Sequence, residues 1–541
     1  MHSFVLRRYW PVLMMLLGLR LIFWLGAFPN PDEAYYWLWG QHLDWSYFDH
    51  PPFHAWVQGV FAAFLGRSHF VLRLPNLITT SLLFWLYWVI CHQLYGRQGR
   101  NAFWLTVLLV LTSPLFFLFL AMAWHDHWLV WFGTAASYCF IRFLSGDRPA
   151  SYSWLYGTGL LIGLAGLCKY VALFLGLGFL VTIASQARWR SLLWNGHLYG
   201  AIALALLVMA PVFWWNSQHD WYSFQFYLGR SIQTEAPTIN WFGPIGFGLL
   251  SILIFGPIHG WLTLQAAQQE FTSAFGGTYQ RVALTLLATS SLLLAVLSLR
   301  APVLYYWNIL AYPLLFPLMA GHFLSAQRLA EVRDRRLLNT TVGLGLLVAA
   351  LLVFHFTFMP ISALIADTGD DDTRMIYGWQ ATAEWLQREA ATVSAQPLLL
   401  TTDYRSAAAL AYMLNDPTVL SISGRIDQFD FWYDPAHLDG RDGVLLGDTW
   451  HPICPAHLRM FARTDSPTEF AVQQFGKFIK HYTIVRGAAF RAHGETADPF
   501  SLDYPLAFTT DGETCVGANH TEGQSPVKDS FLMSQELVIR Q

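Results

Sequence analysis

Read from the amino terminus, the chain alternates long apolar runs with short polar punctuation over about two thirds of its length. Runs near 10–28, 74–93, 102–120, 127–144, 154–168, 170–186, 197–213, 243–263, 282–299, 303–323 and 337–359 each come near the roughly 20 residues that carry a helix across a bilayer. The pattern predicts about eleven membrane-spanning helices. Only Lys169 separates the fifth run from the sixth. The first run follows Arg7-Arg8 and ends in Pro29-Asn30-Pro31 with no small-residue cleavage pattern, so it reads as a retained span and not as a signal peptide.

From about Asp367 the periodicity changes. Tyr377–Ala391 has the spacing of an amphipathic helix, Pro397–Thr401 of a short strand, Tyr404–Leu414 of a second helix and Val419–Ile422 of a second strand. This is an α/β pattern, and beyond Trp450 no regular element is assigned. The chain therefore divides into a membrane region, 1–360, and an α/β domain, 367–541.

Charge tests the partition independently. With Arg7-Arg8 in the cytoplasm, alternate loops should be rich in arginine. They hold Arg97 and Arg100, Arg142 and Arg148, Arg188 and Arg190, Arg281, and finally Arg328, Arg333, Arg335 and Arg336. The opposite loops hold Asp32, Glu33, Asp44, Asp49, Asp126, Asp220 and Glu235. An odd number of spans then places the C-terminal domain outside the cytoplasm. The expected architecture is a polytopic α-helical membrane protein with an extracytoplasmic α/β domain.

Composition agrees. Charged residues make up 12% of the chain, about half the share usual in soluble domains. The net charge of −3 gives no basic footprint for nucleic acid. The 25 tryptophans suit interfacial belts or sugar-stacking surfaces equally well. Cys91, Cys139 and Cys168 lie in apolar runs, whereas Cys454 and Cys515 lie in the polar region and are a candidate disulfide.

Three outward features carry chemistry. The loop after the first span runs from Asp32-Glu33 to Asp49-His50-Pro51-Pro52 with aromatic residues between. Carboxylates held by turns near a bilayer suit a general base or a metal ligand. Trp37, Trp39 and Trp45 read instead as part of a solvated loop with an amphipathic helix lying in the interface. The second feature is Trp124-His125-Asp126-His127-Trp128, at the outward start of a span, where a charge is costly and tends to be functional. Asp49, Asp126 and His127 are the candidate ligands of a divalent metal ion, although His125 and His127 would diverge on a helix. The third is Lys169, the sole lysine before Lys477, which reads either as a snorkelling residue or, with Arg230 and Arg300, as part of an outward cationic site. Outward cations opposite acids suit a phosphate leaving group.

At these residues the chain resembles the GT-C glycosyltransferases that use dolichyl- or undecaprenyl-phosphate-linked sugars. They include protein O-mannosyltransferases, the ArnT-like aminoarabinose transferases of lipid A and the rhizobial galacturonosyltransferases. The resemblance runs through DEAYYW at 32–37, FDHPPF at 48–53, GRSHFVLRLPN at 66–76, GLCKY at 166–170, WNSQHDWYSFQFYLGRS at 215–231 and YYWNILAYPLL at 305–315. It implies Asp32, Glu33 and Asp49 as the catalytic acids. His50, Asp126, Lys169 and Arg230 become donor-binding residues, with histidine at position 50 where lipid A transferases have lysine. It also implies a polyprenyl-phosphate-sugar donor, a lipid or protein acceptor, and a site on the outer face of a bacterial inner membrane. A transporter or flippase for a lipid-linked sugar, and a scaffold presenting the C-terminal domain, are the rival expectations. The first predicts ionisable residues at mid-membrane, and the second has no use for the outward carboxylates.

Overall fold

The computed structural model describes residues 4–146, 151–231, 239–324, 331–365, 372–423, 426–433 and 435–491. Arg148, Glu235, Arg328, Asp367 and Cys515, used above, lie outside the described residues. The chain forms two compact units. The first comprises residues 1–25, 44–57 and 73–353, and the second 26–43, 58–72 and 354–541. The second unit thus takes in part of the loop after the first apolar run.

The first unit is helical. Among the described residues, four helices are long and apolar enough to cross a membrane, or up to six with each bent pair taken as one span. Arg7–Gly26, Ala274–Leu297 and Val332–Thr357 overlap the predicted runs 10–28, 282–299 and 337–359 but begin three to eight residues earlier; others are broken, and the breaks have local causes. Gly99–Thr112 stops before Pro114, and the six-residue helix Pro114–Phe119 follows; a residue preceding proline is pushed out of the helical region. The carbonyls freed there find buried donors: the Arg20 guanidinium reaches Phe117 at 2.9 Å and the Trp24 indole reaches Ala121 at 2.9 Å. The Asn76 amide adds bonds to Leu120 and Met122, so three polar side chains inside apolar helices fasten the turn that ends at His125. The predicted run 303–323 is likewise a 3-10 turn, Tyr305–Ala311, followed by the helix Leu315–His322.

A second break lies between Tyr152–Gly166 and Ala172–Ser185. Lys169 stands in it, at an interruption between helices and not at a snorkelling end. The helix before the break is held by close backbone approach: a Cβ on Gly159 would meet the Ala201 carbonyl oxygen at 2.2 Å.

The second unit carries a six-stranded mixed sheet of β1 (Leu398–Thr401), β2 (Leu420–Ser421), β3 (Gly443–Asp448), β4 (Phe461–Thr464), β5 (Thr468–Gln474) and β6 (Lys477–Phe490). Its order is β2-β1-β3-β6-β4, with β5 also on β6. The first three strands are parallel, and β6 runs antiparallel to β3 with Leu445 opposite Val485. The helix Tyr404–Leu414 joins β1 to β2, and Trp379–Ala391 lies against β3 and β6. Leu398, Leu400, Leu445, Ile453, Val485 and Phe490 form the core.

Both predicted helices and both predicted strands before Trp450 are present, with ends shifted by a residue or two. The region after Trp450 supplies β4, β5 and β6, which were not assigned. For β6 the alternation is hidden because the strand is buried on both faces over much of its length, with charged Lys480 among the buried residues, whereas β4 and β5 are mostly exposed and show no apolar face to read. Cys454 is disulfide-bonded.

Candidate active site

In the first unit, the segment 44–57 is clasped on several sides. The Asp44 carboxylate accepts from the Trp215 indole at 2.8 Å, and its carbonyl accepts from Trp56 at 2.8 Å. Ser223 donates to the Tyr47 carbonyl at 3.0 Å, and Tyr227 donates to the Asp49 carbonyl at 2.6 Å. Ser223 and Tyr227 lie one turn apart on the helix Tyr222–Ser231, which explains why one helix holds both ends of the turn. The Tyr227 oxygen is also 2.7 Å from His50 Nδ1. Its single proton goes to the Asp49 carbonyl, so His50 Nδ1 is the donor of that contact, and the imidazole carries its proton there when neutral. Arg230 lies on the same helix, but its side chain is outside the described residues.

The turn delivers its histidines to the WHDHW segment. The Phe53 amide donates to the Leu167 carbonyl at 3.0 Å, which draws the turn to the break that carries Lys169. His54 Nε2 lies 2.8 Å from the Ala123 carbonyl. The ring of His125 is then 4.6 Å from His50 and 5.0 Å from His54, and His54 is 5.4 Å from His127. His127 is turned inward against the Thr79 hydroxyl at 2.9 Å.

Asp126 opens the helix Asp126–Ser145, and both its oxygens lie 3.0 Å from Lys169 Nζ. Each residue stands where a helix is interrupted, so each side chain leaves a chain end and not the side of a continuous helix. Tyr306 covers the ammonium with its ring centroid 5.0 Å away, a cation–π contact. Acid and cation, read separately in the sequence, are one buried pair.

Asp32 and Glu33 belong to the second unit. Asn30 caps the helix Pro31–Gln41, with Pro31 at its first position. The Glu33 carboxylate accepts from the Asn30 amide at 2.9 Å and completes a capping box. Glu33 is fully buried in that structural place, whereas Asp32 is half-buried. The expectation of an interface-lying helix is corrected for Trp37 and Trp39, which are 3% and 0% exposed within the second unit. Trp45 remains 57% exposed.

The structure thus brings together His50, Asp126 and Lys169, with Asp49 on the same turn as His50. It adds His54, Tyr227 and Tyr306, which sequence reasoning passed over. A second histidine four residues after His50 was the available signal for His54; Tyr227 and Tyr306 lie in segments 215–231 and 305–315 that carry the resemblance, which gave the segments but not these residues. Among the described residues no three His, Cys, Asp or Glu side chains are placed to hold a metal ion. Of the candidate ligands Asp49, Asp126 and His127, Asp126 is engaged by Lys169 and His127 faces Thr79.

Residues 49–215 match the family described as dolichyl-phosphate-mannose-protein mannosyltransferase. The chain is 27% identical over 258 residues to the lipid A galacturonosyltransferase RgtD of Rhizobium johnstonii, covering 42% of this chain and 50% of that protein. It is 31% identical over 178 residues to the undecaprenyl phosphate-alpha-4-amino-4-deoxy-L-arabinose arabinosyl transferase 1 of Proteus mirabilis, covering 32% and 31%. The chain thus spans half or less of the length of these relatives. Crystal structures of ArnT from Cupriavidus metallidurans, apo and bound to undecaprenyl phosphate, superpose with a TM-score of 0.57 at 15% identity. They cover 87% and 88% of this chain and 97% and 98% of theirs. The fold is therefore that of these ArnT structures, a polytopic helical unit with a C-terminal sheet unit.

Proposed function

We propose that this chain is an inverting glycosyltransferase that moves a sugar from a polyprenyl-phosphate carrier to an envelope glycolipid of the lipid A or lipopolysaccharide kind. Residues 1–360 form its catalytic membrane domain with about eleven crossings. Residues 367–541 form a domain outside the cytoplasm, and the reaction takes place on the outer face of the inner membrane. The observation that carries this reading is the Asp126–Lys169 pair set at two helix breaks, with His50 against the neighbouring His125, in a chain with the fold of a transferase crystallised with undecaprenyl phosphate.

Transfer to a hydroxyl needs a proton acceptor and a seat for the departing phosphate. The acceptor oxygen attacks the anomeric carbon as the bond from that carbon to the carrier phosphate oxygen breaks. The electron pair leaves on the phosphate, and the hydroxyl proton passes to a carboxylate. We assign the proton to Asp32, the half-buried acid at the second position of its helix, and give Asp49 an orienting role. Lys169 takes the developing phosphate charge, aimed by Asp126 and assisted by His50 and Arg230. A buried ammonium already in place costs no reorganisation at the moment of reaction, which is why it is worth more there than in water. No step is routed through a metal ion.

The test is turnover in nanodiscs with lipid A and an undecaprenyl-phosphate-linked pentose or uronic acid, read by mass spectrometry. Transfer from the lipid-linked donor is expected, with loss in Asp32→Asn. Transfer from a nucleotide-sugar without carrier would overturn the donor assignment.

A further inference from the structure

We infer that the C-terminal α/β unit is the frame that positions Asp32, acting through Tyr35, Tyr412 and Phe429 as positioning residues. The inference rests on the reading of Asp32 as the base. It starts from length: Pro31–Gln41 has 11 residues, below the roughly 12–15 at which an isolated helix begins to hold itself in water. Its cap fixes the first turn, but its direction has to come from contacts.

Those contacts are made with the sheet unit. Tyr35, three residues on from Asp32 and on the same helix face, lies between Tyr404 at 4.9 Å and Phe429 at 5.9 Å, nearly parallel to the latter at 10°. Its hydroxyl accepts from the Gln428 amide at 2.8 Å. That partner is itself fixed. The turn Gln428–Phe431 has a capping box of Asp427 and Asp430, and Ser423 donates to Asp427 at 2.7 Å. Trp37 meets the Tyr412 ring at 5.1 Å. Phe28, ahead of the cap, sits 5.8 Å from the same ring, and Arg67 donates to the Tyr412 carbonyl. His42, just past the far end, stacks on Trp432 at 4.5 Å and lies 3.1 Å from the Pro417 carbonyl.

The helix is therefore held before its start, along its length and after its end by residues far away in sequence. Tyr412 lies on the helix after β1, and Gln428–Trp432 on the segment that follows β2. Such a clamp is more than an 11-residue connection needs in order to be covered. It sets the direction in which the second residue of the helix presents its carboxylate, and a displacement of about 1 Å at such a group can cost about a hundredfold in rate.

The experiment uses the full chain in nanodiscs. Hydrogen exchange of amides 31–41 is measured in Tyr35→Ala, Phe429→Ala and Tyr35→Phe, together with kcat and KM for whichever of the two lipid-linked donors the unaltered protein turns over. Both alanine variants are expected to exchange this helix at least about tenfold faster. Their kcat should fall about ten- to a hundredfold with KM for the donor unchanged, and Tyr35→Phe, which keeps the ring, should recover most of the rate. Unchanged exchange and kcat in both alanine variants, with Asp32→Asn inactive, would overturn the positioning role and leave the base assignment standing. Full turnover by Asp32→Asn would remove the base assignment and this inference with it. If Tyr35→Ala does not insert, Phe429→Ala carries the test alone.

Discussion

Among the described residues, each unit buries one lysine–aspartate pair, and the two pairs are not alike. In the sheet unit, Lys480 on β6 meets Asp448 at the end of β3 at 2.7 Å, with both side chains 1% exposed. Asp448 also accepts from the amides of Trp450 and His451 at 2.9 and 2.8 Å and from Ser406 at 3.4 Å. In the helical unit, Asp126 is bonded among the described residues to Lys169 alone, and the side chains keep 11% and 4% exposure. The first pair has its lone pairs filled by backbone and side-chain donors, as a structural carboxylate must when it is taken out of water. The second is surrounded by imidazoles and an aromatic ring at the interrupted ends of two helices. A buried ion pair is weak evidence for stability by itself; what separates a strut from a working pair is how completely the neighbours satisfy it.

Breaking each pair and then restoring neutrality sharpens that contrast most. Lys169→Met should lower transfer by about a hundredfold or more, as loss of a transition-state charge partner does, and adding Asp126→Asn should recover thermal stability without recovering transfer. In the sheet unit, Lys480→Met should cost about 3–5 kcal/mol by leaving Asp448 buried without its cation. There, adding Asp448→Asn should recover stability and activity together. Recovery of transfer by the first double variant would erase the distinction between the pairs.

Acid separates the units next. Burial alone would raise the Asp448 carboxyl, but Lys480 and His451 hold it well below the usual carboxylate range. Its contribution is therefore present above the ordinary value near 3.9 and is lost as pH falls below it. His457 acts earlier: burial lowers its imidazole from 6.5 to about 4. The unfolded chain takes up that proton first, so stability falls between about pH 6.5 and pH 4. At pH 5 the sheet unit should have lost roughly 2 kcal/mol, read as faster amide exchange in β3 and β6. His457→Gln should flatten the slope, and an unaltered slope would assign it to another group.

The smallest expected change is Tyr227→Phe, which removes the donor to the Asp49 carbonyl and the acceptor for His50 Nδ1. One such hydrogen bond is worth about 1 kcal/mol, so transfer should fall about fivefold with stability little altered. A loss as large as that of Lys169→Met would place Tyr227 in the phosphate seat itself.

Much of this was written in the chain. Apolar runs gave the helical unit, and the helix Tyr404–Leu414 was read to its ends, because periodicity and charge are local signals. Asp32, Asp49, Asp126 and Lys169 stood out for the same reason: each is a charge where the surrounding pattern is apolar or tightly turned. What the sequence did not contain was partnership. That Lys169 belongs to Asp126, 43 residues earlier, depends on two helix breaks facing each other; Arg20, Trp24 and Asn76 hold the one before Asp126, and the Phe53 amide bonds to Leu167 at the other. The Asn30–Glu33 cap of the helix Pro31–Gln41 is a local signature that the chain does carry. That this helix lies against Tyr404, Tyr412 and Phe429 follows from packing between residues nearly 400 positions apart. Such contacts leave no period in either segment, so only the folded chain discloses them.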